Sequence, residues 1–414
     1  MRGKLTRSLV RAMSAVDNQD KIPIIVKYRE GLITTRAFID GARPKYHYGF
    51  FRGAAWEARP REVANLASAP EVERLWLDLP VHTCLDSAAE RIQAPLAWNM
   101  GITGQGVRIA IIDTGIDPQH PDFQGRIAAG INLRGGSYFD DSGHGTHVAG
   151  AAAGSGVASG GRYRGVAPGA TLYIAKALDA HGSGMMSDVM AGVEWAVAQR
   201  VQVIGLSLGS EGPGDGTDAL SETCDMAVQL GVIVCTAAGN SGPRRSSIGA
   251  PGVARWVITI GASSDNDAVM EFSGRGPTQD NRPKPDVCFP GENIISCRAT
   301  DTSIGHVIDD HYTEMSGTSM ATPQGVGAVA LILQRRPNLK PEQVKEILKQ
   351  TATNMGLDTN AQGSGRADVF RAVQSNVWPA VQSEPVPPGP TPVQPLAPAH
   401  GGCSRVVVNM FKRN

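Results

Sequence analysis

The sequence predicts an α/β protein in which a mainly parallel central sheet is flanked by helices, with a small α+β unit before it and a proline-rich tail after it. Three observations carry this reading. From Gly101 onward, short and nearly unbroken apolar runs recur, which is how strands buried on both faces of a parallel sheet read. Helical stretches alternate with those runs, as the right-handed crossovers of an open α/β fold require. Beyond Val377, eight prolines fall between residues 379 and 398, where neither helix nor sheet can propagate.

In chain order, IPIIVKY and YHYGFF are β-rich, PREVANLAS opens a helix on Pro60, and VERLWLDL alternates as a strand does, so residues 22 to 81 form a unit of their own. The buried strands follow as VRIAII (107–112), TLYIAKAL (171–178), VQVIGLSL (201–208), VIVCTAA (232–238) and VITIGA (257–262). Between them SDVMAGVEWAVAQ and DALSETCDMAVQL read as helices. PEQVKEILKQ adds a late helix, with Pro341 in its first turn and Val344, Ile347 and Leu348 on one face. The chain divides into residues 1–82, 83–377 and 378–414.

Charge and cysteine usage narrow the function classes. With 39 basic and 39 acidic residues there is no footprint for nucleic acid or for an anionic membrane surface. The start, MRGKLTRSLVRAMSAVDNQDK, lacks the apolar stretch of a secretory signal, and no later run has the length of a membrane span. A cytoplasmic monomer is the expectation, with secretion left open if the true start lies elsewhere. Cys84, Cys224, Cys235, Cys288, Cys297 and Cys403 show no CxxC spacing, against a zinc site and against a disulfide framework. Idle buried thiols are expected, with Cys288 and Cys297 as the one pair close enough in sequence to join.

Three polar features stand where ligands bind in such a sheet, beyond the carboxyl ends of strands. Asp113 directly follows VRIAII; by itself it reads as a turn or helix cap. GHGTHVAG puts His144 and His147 on one helix face, which suits a metal pair or simply core histidines. In MSGTSMATPQ, Gly317 and Thr318 lead into a helix, Ser319 sits at its start as an N-cap would, and Pro323 fits the first turn. Together the three mean more, because a serine nucleophile needs a histidine base, and the histidine needs a carboxylate to fix its tautomer.

The order Asp113, His144, Ser319 and the motifs IIDTGID, GHGTHVAG and GTSMATP resemble those of the subtilisin-like serine proteases, for which that order is the known one. The resemblance extends to SLG (207–209), AAGNSG (237–242), KPDV with PGENI, and GSGRADVFRAV, covering roughly residues 83 to 377. It implies the three-layer subtilisin-like fold and a serine endopeptidase with Ser319 as nucleophile, His144 as general base and then acid, and Asp113 orienting the imidazole. Asn240, otherwise a turn residue, becomes a side-chain donor to the oxyanion beside the serine N–H. Gly182, Ser183 and Gly184 on one side, with Ser207, Leu208 and Gly209 on the other, become the segments that clamp an extended peptide by strand addition. Ala237, Ala238 and Gly239 wall the main specificity pocket, and such small walls leave room for a large apolar side chain. The N-terminal unit resembles the family's propeptide, an inhibitor of its own enzyme, with self-processing expected near residues 78 to 90.

No cofactor is implied for the chemistry; calcium is implied for stability. Asp122 matches the carboxylate of the family's tightest calcium site, but GSGVASGGRYR (154–164), where the family supplies further ligands, holds no Asp, Asn, Glu or Gln and carries two arginines. Calcium is therefore expected to bind differently or less tightly, with Asp140 and Asp141 as acidic groups elsewhere. Other functions fare worse. GITGQGVRI has only a GxG, before its strand rather than after it, and no GxxxxGK[ST] occurs. The stretch around Ser319 is not GxSxG, against an α/β-hydrolase esterase. A catalytically inactive binding protein on the same fold is the alternative, and the retained Asp113, His144, Ser319 and Asn240 argue against it.

Overall fold

The computed structural model describes residues 4–29, 44–78, 80–83 and 91–376. The proline-rich tail, Cys84, Cys403 and most of the expected processing window lie outside the described residues. The N-terminal unit begins with helix α1 (Arg7–Ala15) and continues through β1 (Ile22–Tyr28), β2 (Tyr46–Tyr48), β3 (Gly53–Ala58), α2 (Pro60–Ser68) and β4 (Val72–Leu77). Its antiparallel sheet runs β2-β3-β1-β4. Alternation decides its two faces: Ile22, Ile24 and Val26 join Leu9, Val63 and Leu66 beneath the helices, whereas Ile25, Tyr48, Phe51, Ala55 and Trp76 turn to the main body. Strand β5 (Pro80–Thr83) follows, then helix α3 (Ala94–Trp98).

The main body alternates strands and helices: β6 (Arg108–Asp113), β7 (Ile127–Asn132), α4 (His144–Ala153), β8 (Thr171–Lys176), β9 (Gly184–Met185), α5 (Met186–Ala198), β10 (Val203–Leu206), β11 (Leu208–Gly209), α6 (Ala219–Gln229), β12 (Ile233–Ala237), β13 (Ile258–Ser263) and β14 (Val287–Pro290). A small antiparallel sheet of β15 (Ile294–Cys297), β16 (His306–Val307) and β17 (Tyr312–Met315) leads into the long helix α7 (Thr318–Arg335). The seven-stranded sheet has the order β14-β13-β12-β10-β6-β8-β7, all neighbours parallel.

Both faces of that sheet are covered, which is why its strands are apolar throughout. Ile109, Ile111, Val203, Ile233 and Ile260 meet α4 and α7 on one side; Ala110, Ile112, Ile204 and Val234 meet α5 and α6 on the other. The N-terminal sheet packs onto that second layer. This is the three-layer α/β arrangement. Among the described residues no helix is long and apolar enough to cross a membrane.

Two expectations need correction. Cys288 and Cys297 are both free and buried, as are Cys224 and Cys235. Pro323 lies inside α7, past its first turn. A proline there has no N–H for the carbonyl four residues back, that of Ser319. The hydroxyl of Ser207 donates to this carbonyl instead, at 2.9 Å.

Candidate active site

The carboxyl ends of the central strands gather the polar residues. Asp113 is the last residue of β6, Ser207 follows β10, and Ala237 ends β12. His144 opens α4 because Gly143 before it is left-handed, at φ 97°, where a Cβ would press on Thr302 and Ile304 at 2.8 Å. His144 Nδ1 and Asp113 Oδ1 are 2.6 Å apart, and both side chains are buried. Since a carboxylate only accepts, Nδ1 carries the proton and Nε2 is left as the basic nitrogen. Asp113 Oδ1 also accepts from Thr114 N at 2.7 Å.

His147 does not share a ligand site with His144. Its Nε2 lies 3.0 Å from the carbonyl of Ile294, and complete burial pushes its pKa down to about 3, so the ring is neutral. The bland reading, a core histidine, fits it.

Ser319 is the second residue of α7, which packs beside α4. Its Oγ lies 2.8 Å from the carbonyl of Ser207, and with the reverse bond from Ser207 Oγ this ties the serine to the segment after β10. Asn240 stands in the loop after β12 and accepts from Thr318 N at 3.0 Å and Thr318 Oγ1 at 2.9 Å. A backbone N–H can only donate, so this end of the carboxamide is the oxygen, and the N–H2 end is directed elsewhere.

The two segments expected to clamp a peptide each pair with a strand of this chain. Strand β5 lies between β9 and β11, antiparallel to both: Pro80 faces Met185, Val81 faces Gly184, His82 faces Gly209 and Thr83 faces Leu208. Gly182 is left-handed, and Ser183 N is held by Asp179 Oδ1 at 3.0 Å. Nearby, Ala237 and Ala238 are buried, while a Cβ on left-handed Gly239 would meet nothing within 4 Å.

Polar contacts fasten the N-terminal unit to α5 and α6. Glu194 accepts from the N–H groups of Gly49, Phe50 and Phe51 at 3.0, 3.2 and 3.4 Å, and burial pushes its pKa up to about 7. Asp78 accepts from both N and Oγ of Ser187, and burial pushes it up to about 6. Asp188 pairs with Lys45 at 2.7 Å, and Lys27 with Glu222 at 2.8 Å.

Asp122 does not face a calcium cage. Its Oδ1 accepts from Ala158 N at 3.0 Å, and its Oδ2 accepts from Tyr312 Oη at 2.8 Å and from the Cys297 thiol at 3.5 Å. Arg126 takes the surrounding carbonyls, donating to Ala153 O at 2.6 Å, to Ala170 O at 3.2 Å and to Asp122 O. Calcium wants six to eight oxygens, whereas this corner offers donors to the carboxylate and a guanidinium to the carbonyls. The residues do not fit that ion. His120, Asp122 and Cys297 do bring three ligand atoms within 4.8 Å of one another. Each is engaged, however: His120 Nδ1 accepts from Asp122 N at 3.2 Å, and burial, then Asp122, push the Cys297 pKa far up, keeping the thiol protonated.

A three-layer α/β body with an Asp–His pair and a serine at the carboxyl ends of its strands defines a class, the serine hydrolases. The comparisons narrow it. The model of the subtilase family matches residues 104–365, and the chain belongs to that family. It is 37% identical to serine protease AprX of Bacillus subtilis (strain 168) over 395 residues, 86% of this chain and 89% of the relative. It is 38% identical to an alkaline protease of Alkalihalobacillus alcalophilus over 329 residues, 77% and 78% of the two chains. With subtilisin E of Bacillus subtilis (strain 168) it shares 35% over 348 residues, 81% and 84%. It is a subtilisin-like serine endopeptidase, a hydrolase acting on proteins or peptides.

Proposed function

We propose that peptide bonds are cut by Ser319, activated by His144 and Asp113, with Asn240 and the Ser319 N–H receiving the oxyanion. The observation that carries this reading is the 2.6 Å contact between His144 Nδ1 and Asp113 Oδ1. It makes Nε2 the basic nitrogen, which takes the Ser319 proton as Oγ attacks the carbonyl carbon and returns it to the leaving amine. Asp113 stays ionised and stabilises the imidazolium formed in between. Negative charge then grows on the former carbonyl oxygen, where the Asn240 N–H2, held by Thr318, donates to it. The substrate lies extended between Gly182-Ser183-Gly184 and Ser207-Leu208-Gly209, and the pocket of Ala237, Ala238 and Gly239 favours a large apolar side chain before the scissile bond. Replacing Ser319 by Ala tests the assignment: turnover of a peptide substrate should vanish while the fold persists.

We further infer that the N-terminal unit inhibits this enzyme as a propeptide. Strand β5 occupies the clamp in the way a substrate would, which supports the reading. The described strand ends at Thr83 opposite Leu208, and the next residue of the facing segment, Ser207, is the one whose carbonyl meets Ser319 Oγ. The bond after Cys84 is therefore the proposed processing site. The mass of the purified chain over time checks it: a new terminus at Leu85 is expected, and an active enzyme that keeps Met1 would contradict it.

Stability without calcium at Asp122 is proposed as well, on the strength of the Arg126 contacts. Four free buried thiols support a reducing, cytoplasmic setting for the enzyme. Balanced charge supports polypeptide partners over nucleic acid or membrane.

A further inference from the structure

Asp140 is completely buried, lies four residues before His144, and has no part in the chemistry above. Its Oδ1 accepts from Thr114 Oγ1 at 2.8 Å, Ser142 N at 3.1 Å and Gly143 N at 2.8 Å. Its Oδ2 accepts from Thr146 N at 2.8 Å and Thr146 Oγ1 at 2.7 Å. Thr114 adjoins Asp113, whereas Ser142, Gly143 and Thr146 bracket His144. The stitching is returned, since Thr114 Oγ1 accepts from Gly145 N at 2.8 Å and Thr146 Oγ1 accepts from Asp117 N at 2.9 Å. Between the two segments the backbones touch: a Cβ on Gly145 would fall 2.2 Å from Gly115 O.

Five donors converge on one side chain, and only an ionised carboxylate has acceptors alone to meet them. An amide in its place would turn an N–H2 against donors on one side, leaving buried groups unpaired. The imidazole and the carboxylate that orients it come from chain segments thirty-one residues apart, and their short bond tolerates little drift. We propose that Asp140, acting through Thr114, is a positioning residue that sets the separation and angle of His144 and Asp113. The inference rests on the serine-protease reading and adds a residue to it.

The test compares Thr114→Val, Thr114→Ser and Asp140→Asn with the full-length wild-type chain. Three quantities are measured: kcat and KM on a peptide substrate, the rate of fluorophosphonate labelling, and Tm. Thr114→Val keeps the volume and removes the hydroxyl; it should lower kcat and the labelling rate together by on the order of 10- to 100-fold, with KM nearly unchanged. Thr114→Ser restores the hydroxyl and should recover most of the rate. Asp140→Asn should lose at least as much as Thr114→Val; if it does not fold, the two Thr114 variants decide. Wild-type kcat in a folded Thr114→Val, or a loss confined to KM or Tm, overturns the positioning role of Asp140. A wild-type chain that takes no label once its N-terminal unit has been processed away overturns the serine-protease reading and the Asp140 role with it, whereas normal wild-type labelling with an unaffected Thr114→Val sinks the Asp140 role alone.

Discussion

The two ends of helix α4 treat a buried aspartate in opposite ways. At its start, Asp113 gives Oδ1 to His144 and to Thr114 N, and its Oδ2 meets no hydrogen-bond donor among the described residues. At its end, beside Ala153, both oxygens of Asp122 are taken by an amide, a phenol and a thiol, and Arg126 closes the carbonyls around it. A carboxylate that must orient a base keeps few partners, so its charge stays directed at one ring. A carboxylate that only holds chains together is surrounded by donors. The first arrangement suits the orienting of a base, and in the second an internal cation, Arg126, takes the nearby carbonyls.

The largest expected break at the catalytic end is Ser319→Ala, which should lower kcat by about a million-fold, the size measured for the corresponding change in subtilisin itself. Unchanged turnover in a folded variant would refute the nucleophile. Next comes Asn240→Ala, expected to cost about 10²- to 10³-fold in kcat with KM little altered, again the cost known for that donor in subtilisin. Steady-state kinetics separates the two parameters, and an unaffected kcat would reduce Asn240 to a turn residue.

At the other end of α4 the expected losses are in stability. Arg126→Met leaves buried carbonyls without donors and should cost roughly 2–3 kcal/mol, about 5 °C or more in a thermal melt. Excess chelator should move the wild-type melt by no more than about 2 °C; a large fall would restore calcium to this corner, and zinc or cadmium copurifying with the chain would assign it to a thiophilic metal.

The contact between the N-terminal unit and the main body also buries carboxylates, one from each side: Asp78 from the unit and Glu194 from α5. Glu194 and Asp78 have pKa values raised by burial above their ordinary range near 4. Below pH 4 both are protonated with or without the partner, so no penalty arises. As pH climbs toward 7, Asp78 and Glu194 ionise freely on the separated partners while the complex resists. Inhibition by the isolated N-terminal piece should therefore weaken by roughly tenfold or more between pH 5 and 8. A pH-independent inhibition constant would contradict this.

Much of the site was legible because its chemistry depends on residue identity at short range. The strands of the sheet showed as apolar runs for the same reason that they are buried on both faces, and motifs around Asp113, His144 and Ser319 sit at strand or helix ends where side chains have one way to point. What stayed hidden comes from distant pairing. PVHT has no strand period of its own; it is a strand because β9 and β11 flank it. The arginines of residues 154–164 looked like the charges opposed to calcium, yet Arg162 lies over Tyr163 and Arg164 over Trp98, and Arg126 is the one that takes the carbonyls. Asp140 read, with Asp141, as an acidic group for calcium elsewhere, because its donors come from residues on both sides of a turn. Pro323 was misplaced because the partner that makes it tolerable, Ser207, is over a hundred residues away.

On this reading the His144–Asp113 pair makes Ser319 an activated hydroxyl. Incubating the folded protein with a fluorophosphonate, digesting it and sequencing the labelled peptide by mass spectrometry tests this most directly. A single adduct on Ser319 is expected, lost in Ser319→Ala and formed far more slowly in His144→Ala. An adduct on another residue, or equal labelling without His144, would contradict it.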